Sequence, residues 1–159
     1  HPRLFSEFTR GLDGSEKERI LARYYHPHRT AVEQAVRAAM PGSRPVVHIG
    51  VHTFTPVLNG RRRTADIGVL HDPHRAIETG VACALADRLR AAAPGLVVKR
   101  NYPYRGWTDG LTTTLRRVFP ASRYAGIEIE VNQGMLRNPA RWRALRRLIA
   151  TAVRAASSA

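Results

Sequence analysis

The chain has 159 residues, 43% of them hydrophobic, which suits one domain with a buried core. Its formal charge is +14, and all but two of its 26 basic residues are arginine, so charge alone fits both a polyanion and a small carboxylate as ligand. A single cysteine excludes an internal disulfide framework and a cysteine-only zinc site. No apolar run is long enough to span a membrane and no signal peptide is evident, so we expect a soluble cytoplasmic protein without a membrane partner.

Helical and strand patterns alternate along the chain. The opening residues have no helix start signal, and we expect residues of the same fold to precede His1. Before residue 41 the spacing predicts a helix that starts with a capping box at Ser15 and Glu18 and breaks near Pro27. Further helices are predicted over residues 72–92, 109–117 and from 138 onward. Strands are predicted over residues 46–52, 65–71, 96–98 and 125–131. This alternation predicts one α/β domain over residues 1–159.

The first predicted strand carries two histidines on one face. Side chains alternate along a strand, so His48, Gly50 and His52 point the same way, and the glycine leaves room for another group to approach. His52 lies where the strand ends, and ligands of open α/β sheets bind beyond the carboxyl ends of strands. The alternative is a satisfied core histidine, an interpretation that we favour for His48 but not for His52.

The last predicted strand carries two carboxylates on one face. Glu128 and Glu130 are costly on a central strand unless they are paired, hydrogen-bonded or near a metal ion. An edge strand with one solvated face is the alternative. A histidine at one strand end and a glutamate at another are components of metal-assisted hydrolysis, in which a non-ligand carboxylate accepts the proton of metal-bound water.

Two loops carry further candidate residues. The segment 101–107 follows a predicted strand and is rich in tyrosine and arginine, which is typical of a loop that contacts substrate, although a packed structural loop fits as well. The basic cluster 61–63 follows the turn-forming pair Asn59-Gly60. Its simplest interpretation is a solvated loop tip.

Five runs in this order resemble the N-formylglutamate amidohydrolase family: VHTFTP at 51–56, RTADIG at 63–68, RNYPYRG at 100–106, DGLTT at 109–113 and IEIEVNQ at 127–133. Tyr24, Tyr25 and Pro27 extend the resemblance toward the start of the chain. The family is similar in fold to zinc carboxypeptidases and aspartoacylases. The resemblance therefore implies a zinc-exopeptidase-like (phosphorylase/hydrolase-like) fold, with a mixed β-sheet flanked by helices on both faces and one catalytic zinc ion.

The resemblance also assigns individual residues. His52 resembles the late histidine zinc ligand of those enzymes, and Glu130 resembles their general base, with Glu128 as the less favoured catalytic candidate. The residues that we predict to bind substrate, chiefly through its carboxylates, are Arg63, Arg100, Asn101, Tyr104 and Asn132. The family's other zinc ligands lie in an N-terminal segment, so we expect them upstream of His1 and expect this chain to form the C-terminal two thirds of a longer amidohydrolase fold.

The resemblance implies a metal-dependent amidohydrolase that cleaves N-formyl-L-glutamate, a small acidic N-acyl amino acid, to formate and glutamate. An incomplete or inactive homologue that binds an acidic metabolite or a partner protein is the first alternative. A basic nucleic-acid-binding protein that uses Arg61–Arg63 and the terminal helix ranks last, because no interleaved aromatic stacking motif or known binding module is present. A nucleic-acid partner is therefore not expected, and the sequence leaves the oligomeric state open.

Overall fold

The computed structural model describes residues 5–157, which form two compact units, the first ending at Pro41 and the second beginning at Gly42. Residues 1–4, where the sequence predicts that the chain enters from a preceding segment, lie outside the described residues. That both units belong to one domain stays a prediction. Within residues 5–157, no helix combines the length and apolar character needed to cross a membrane.

The first unit is helical. It contains α1 (Gly14–Ile20), a π-helical turn (Leu21–Tyr25) and α2 (His26–Ala39). The residue that caps α1 is Asp13, not Ser15 as expected, because the Asp13 carboxylate accepts hydrogen bonds from the Glu16 N–H and the Ser15 hydroxyl, both at 2.8 Å. The expected break takes the form of the π-helical turn. Pro27 follows this turn directly, as the second residue of α2.

The second unit is a mixed α/β layer structure, as the sequence predicts. Its strands are β1 (Val46–Phe54), β2 (Val57–Leu58), β3 (Arg61–Arg62), β4 (Ile67–Leu70), β5 (Val98–Arg100) and β6 (Tyr124–Asn132). Its helices are α3 (Ala76–Ala92), α4 (Gly110–Val118) and α5 (Pro139–Ser157). Four strands form one sheet in the order β1-β6-β4-β5, in which β6 runs parallel to β1 and antiparallel to β4. Strands β2 and β3 form a separate hairpin.

Helices cover both faces of the sheet. On one face Ile127, Ile129 and Val131 of β6 are fully buried in a core that includes residues of α3 and α5. On the other face α4 lies so close to β6 that the Thr112 side chain is about 3 Å from the position where a Cβ on Gly126 would stand. The second face carries the alternate residues of β6, which include both glutamates.

In the sheet formed by residues 5–157, β1 is an edge strand, and Val51 is 57% exposed. The strand with the glutamates is instead an inner strand, with β1 on one side and β4 on the other. Glu128 and Glu130 therefore do not lie on a solvated edge strand.

A close approach at Gly68 positions the loop that follows β5. A Cβ at Gly68 would overlap the carbonyl oxygen of Tyr102, so only glycine lets this loop cross β4. We expect Gly68→Ala to lower the free energy of unfolding by about 2 kcal/mol or more, as overpacking does. Gly80→Ala, in α3 with open space around the new methyl, is the control and is expected to raise stability by roughly 0.5–1 kcal/mol. Urea unfolding measures both changes, and equal stability of the two variants would contradict the packing argument.

Candidate active site

The structure places His52 and Glu130 side by side on the helix α4 face of the sheet. They are Cα partners in the parallel pairing of β1 and β6, two residues before each strand ends. Partners in adjacent strands project from the same face, so both side chains lie at the carboxyl end of these two strands. The pairing supplies the geometry on which metal-assisted hydrolysis would depend.

The glycine between the two histidines makes room for the imidazole. His52 Nε2 lies 3.1 Å from the position of a Cβ on Gly50, and Glu128 Cγ lies 3.7 Å from the same point. The His52 ring therefore folds back over Gly50 toward the Glu128 side chain. A Cβ at position 50 would require the ring to move by a few tenths of an ångström.

The Glu130 carboxyl is poised to exchange a proton near neutral pH. The residue is only 6% exposed, and no described residue hydrogen-bonds its buried Oε2. Burial, and to a smaller extent the negative charge of Glu128, raise the pKa of Glu130 to about 7 against the opposing effect of the Arg63 guanidinium. A carboxyl with such a pKa can act as a base and return the proton as an acid.

The same shift has a measurable effect on stability. In the unfolded chain Glu130 ionises around 4.5, but in the folded chain it ionises around 7, so the folded state loses stability as the pH rises between these values. Glutamine mimics the protonated form. Because one pKa unit corresponds to about 1.4 kcal/mol, we expect Glu130→Gln to stabilise the protein by roughly 2 kcal/mol at pH 8 and by much less at pH 5.

Urea unfolding at the two pH values measures this effect. Asp87→Asn, a charge-matched change at a side chain that is 72% exposed, is the control and should shift stability little at either pH. Equal stabilisation by Glu130→Gln at pH 5 and pH 8 would assign the gain to packing and contradict the shifted pKa.

The second carboxylate, Glu128, is fixed by α4. The buried Thr112 hydroxyl donates a hydrogen bond of 3.0 Å to Glu128 Oε1. Gly110 begins α4 with a positive φ of 93°, and a Cβ there would lie 3.0 Å from the same oxygen. Glu128 is thus held between the first turn of α4 and the His52 side of the sheet.

Both glutamates line a cavity of about 260 Å³, called here the carboxylate cavity. Its lining residues are Leu70, Tyr104, Arg105, Asp109, Glu128 and Glu130. This volume is at the small end of the range for ligand sites and suits a compact substrate. The predicted substrate-binding residue Tyr104 therefore shares a cavity with the predicted base.

Arg63 contacts this cavity through its lining residue Tyr104. Its Nη1 donates a hydrogen bond of 3.1 Å to the Tyr104 hydroxyl, and its guanidinium carbon lies 5.0 Å from the Tyr104 ring centroid and 5.7 Å from that of Phe54. These contacts fix the cation near Glu130 before any ligand arrives.

Arg63 itself lines a second cavity of about 470 Å³, called here the arginine cavity. Its lining residues are Pro56, Arg62, Arg63, Thr64, Ala65, Asp66, Asn132, Gly134 and Met135. Asn132 contributes to this lining, but its side-chain amide also donates to the Ala65 carbonyl at 2.9 Å and its Oδ1 accepts from the Gly134 N–H at 2.9 Å. Asn132 therefore shapes the cavity as well as bordering it.

The Asn101 side chain hydrogen-bonds to backbone N–H groups. Its Oδ1 accepts hydrogen bonds from the N–H groups of His71 and Gly106, at 3.0 and 3.3 Å, and its own N–H donates to the Val69 carbonyl. It adopts a left-handed conformation with φ of 49°. In this arrangement Asn101 positions the loop that carries Tyr104, and it does not line either cavity.

Arg100 lies on the opposite face of the sheet from Glu130. It pairs with Val69, whose side chain belongs to the core below α3 and α5, and its Nη1 is 2.9 Å from the Cys83 sulfur of α3. The structure therefore brings Arg63, Tyr104 and Asn132 toward the candidate site but does not bring Arg100 there.

Comparison with known proteins identifies relatives of this chain. A family model for N-formylglutamate amidohydrolase matches residues 3–136. The chain belongs to the N-formylglutamate amidohydrolase family. A crystal structure of a gene product from Agrobacterium tumefaciens is 29% identical to it, with a TM-score of 0.68. That match covers 92% of this chain and 57% of the other, so this chain spans little more than half of its structural relative. No curated protein matches.

The resemblance to the N-formylglutamate amidohydrolase family implies one catalytic zinc ion. Within residues 5–157, no group of three histidine, cysteine, aspartate or glutamate side chains is placed to hold a metal ion. His48 is not a second ligand beside His52, because its Nδ1 is 2.8 Å from the Tyr124 hydroxyl at the other end of the strand pair. The described residues alone do not fit a zinc site, which usually needs three protein ligands.

Several residues that surround the candidate site were not predicted from the sequence. Thr112 lies in the run 109–113 that carries the family resemblance, but one threonine in a run of three has no spacing that distinguishes it from its neighbours. Asp109 was predicted only as the start of a helix and as part of the same run, yet it lines the carboxylate cavity. Arg105 lies in the loop predicted to contact substrate, and its residue type in that loop was the available signal.

Proposed function

We propose that this chain carries the proton-transfer half of a metal-dependent amidohydrolase that cleaves N-formyl-L-glutamate to formate and glutamate. The observation that carries the proposal is a buried carboxyl, Glu130, with a pKa near 7 beside an imidazole at the carboxyl ends of two paired strands. Family membership supports an amidohydrolase, and the smaller cavity suits a compact N-acyl amino acid.

In the proposed reaction Glu130 performs two proton transfers. As the carboxylate, it accepts a proton from the water that attacks the formyl carbon. As the acid so formed, it donates that proton to the amide nitrogen when the C–N bond breaks, so that formate and the free amine leave. A pKa near 7 suits both steps at neutral pH, because neither protonation state is strongly favoured.

Glu128 and Arg63 act on this cycle electrostatically. The charge of Glu128, held in place by Thr112, favours protonation of Glu130 and of the leaving amine. The Arg63 guanidinium offers a cation to the carboxylates of an acidic substrate, and its contacts with Tyr104 and Phe54 fix its position beforehand. Binding to a fixed cation loses less conformational entropy than binding to a mobile one.

We also propose that one zinc ion binds with His52 as one ligand. Since the described residues do not complete its coordination, the remaining ligands are proposed to lie outside residues 5–157, and no catalytic step is assigned to the metal. The same observation favours a second candidate function, a protein that binds an acidic metabolite without turning it over.

Formate release tests the proposed function. The protein is incubated with N-formyl-L-glutamate and with N-formyl-L-lysine, before and after treatment with a chelator and readdition of zinc. We expect release from the acidic substrate only, lost with the chelator and restored by zinc. Binding of N-formyl-L-glutamate without formate release in the presence of zinc would support the second function instead.

A further inference from the structure

The two cavities beside Glu130 have opposite charge. The carboxylate cavity is lined by Asp109, Glu128 and Glu130 with one arginine, Arg105. The arginine cavity is lined by two arginines and one acid, Asp66, whose Oδ2 accepts the Val97 N–H at 2.9 Å. A carboxylate group of a ligand is therefore repelled from the first cavity and attracted to the second.

The two cavities are neighbours. Arg63 lines the arginine cavity, and the hydroxyl to which it donates belongs to Tyr104, which lines the carboxylate cavity. Asn132, also in the arginine cavity, follows Glu130 by two residues on the same strand and the same face. The distance along the strand from Glu130 to Asn132 is one pleat repeat, about 7 Å. A ligand whose amide lies at Glu130 would have to extend by about this distance to enter the arginine cavity.

The length of a glutamyl side chain fits this reach. Four bonds separate the amide nitrogen of N-formylglutamate from its side-chain carboxylate carbon, and the extended chain spans about 5 Å before the carboxylate oxygens are added. An aspartyl side chain is shorter by one bond, roughly 1.3 Å along the chain. A neutral side chain of equal length reaches the cavity but has no charge to offer.

We propose, on the basis of the amidohydrolase function proposed above, that the arginine cavity binds the side-chain carboxylate of the substrate's amino acid and that Arg62 determines this specificity. Arg63 is engaged with Tyr104 and Phe54 and so forms the fixed wall. Arg62 lies on β3 at the cavity lining, where its guanidinium can bind a carboxylate through two parallel hydrogen bonds.

The neighbouring arginine provides a matched control. Arg61 pairs with Leu58 and Arg62 pairs with Val57 in the β2–β3 hairpin, so their side chains project from opposite faces. Arg61 does not line the arginine cavity. Arg61→Gln and Arg62→Gln therefore remove the same charge from adjacent positions, and only the second removes it from the cavity.

Isothermal titration calorimetry on the full chain tests the proposal. Glu130→Gln serves as the parent, which prevents turnover, and the ligands are N-formyl-L-glutamate, N-formyl-L-aspartate and the neutral N-formyl-L-glutamine. Adding Arg62→Gln is expected to weaken binding of the glutamate ligand at least tenfold and of the glutamine ligand less than twofold. The aspartate ligand is expected to bind the parent more weakly than the glutamate ligand, and Arg61→Gln should change no dissociation constant more than twofold.

Any other result contradicts either this inference or the proposed hydrolysis, as follows. Equal losses for Arg61→Gln and Arg62→Gln, or no loss for either, would overturn the specificity role of Arg62, even if the wild-type protein releases formate. A parent that binds none of the three ligands would overturn the inference as well. Selective binding that depends on Arg62, in a wild-type protein that releases no formate, would support the inference and overturn the proposed hydrolysis.

Discussion

Replacing Glu130 with glutamine is expected to reduce formate release from N-formyl-L-glutamate by at least about 10²-fold, the lower range for loss of a general acid–base group. The amide of glutamine cannot accept the proton of the attacking water, and it cannot return one to the leaving amine. The loss should appear in kcat, because Glu130 lies in the smaller cavity and the substrate's carboxylates are proposed to bind elsewhere. Steady-state kinetics measures both kcat and KM.

Unfolding cannot account for that loss, because the same variant is expected to be more stable than the wild-type protein at pH 8. Glu128→Gln provides a comparison within the cavity. It keeps the base but removes the neighbouring charge, so it should lower the pKa seen in the pH profile of kcat/KM while retaining more activity than Glu130→Gln. A Glu130→Gln enzyme that keeps the wild-type rate would exclude Glu130 as the proton acceptor.

The pairing of His52 with Glu130 shows what strand patterns can establish. Alternation predicts which residues of one strand share a face, and the rule that ligands bind at carboxyl strand ends predicts which end matters. Neither rule reveals that residues 52 and 130 are partners in one parallel pair. That register depends on the whole length of β1 packing against β6, from Val46 to Phe54.

The face of the sheet on which Arg100 lies could not be predicted from strand alternation alone. The sequence places a strand at residues 96–98, whereas β5 runs from Val98 to Arg100. Because a strand alternates with a period of two, its face assignments depend on the pairing with its neighbour, which a three-residue strand does not specify locally. Pairing with Val69 places Arg100 on the face that is covered by α3.

Helix α3 illustrates a further limit. Its spacing predicts an apolar stripe through Ile77, Val81, Leu85 and Leu89. Leu85 and Leu89 are fully buried, but the fully buried side also includes Glu78 and Ala82, whereas Ile77 and Val81 are only partly buried. A buried carboxylate contradicts simple hydropathy, and its partner, Arg116, lies 38 residues later on another helix. Sequence spacing contains no information about such a distant pair, so this ion pair could be found only in three dimensions.

Breaking the Glu78–Arg116 pair is expected to have the largest effect on stability. Two hydrogen bonds of 2.9 Å join the guanidinium to both carboxylate oxygens, with side-chain exposures of 0% for Glu78 and 7% for Arg116. Arg116 also donates to the carbonyls of Gly106 and Gly126, and Glu78 accepts the N–H groups of Asp72 and Gly126. The pair thus ties α3 and α4 to β6 and to both loops beside them.

Arg116→Met is expected to lower the free energy of unfolding by about 3–5 kcal/mol, since it leaves the Glu78 carboxylate buried without a counter-charge. Urea unfolding of the full chain measures the change. Adding Glu78→Gln to Arg116→Met removes the stranded charge, so the double variant should be more stable than Arg116→Met alone. This recovery separates the electrostatic cost from the loss of packing by the arginine side chain.

The Asp87–Arg90 pair provides the control for the buried pair. Its side chains are 72% and 44% exposed, and Asp87→Asn should therefore change stability by less than about 1 kcal/mol. Because Arg116 lies one helical turn beyond Thr112, loosening α4 should also release the hydroxyl that holds Glu128. An Arg116→Met protein as stable as Asp87→Asn would mean that water or a shifted side chain satisfies Glu78, and it would contradict the role of this pair in holding α4 against the candidate active site.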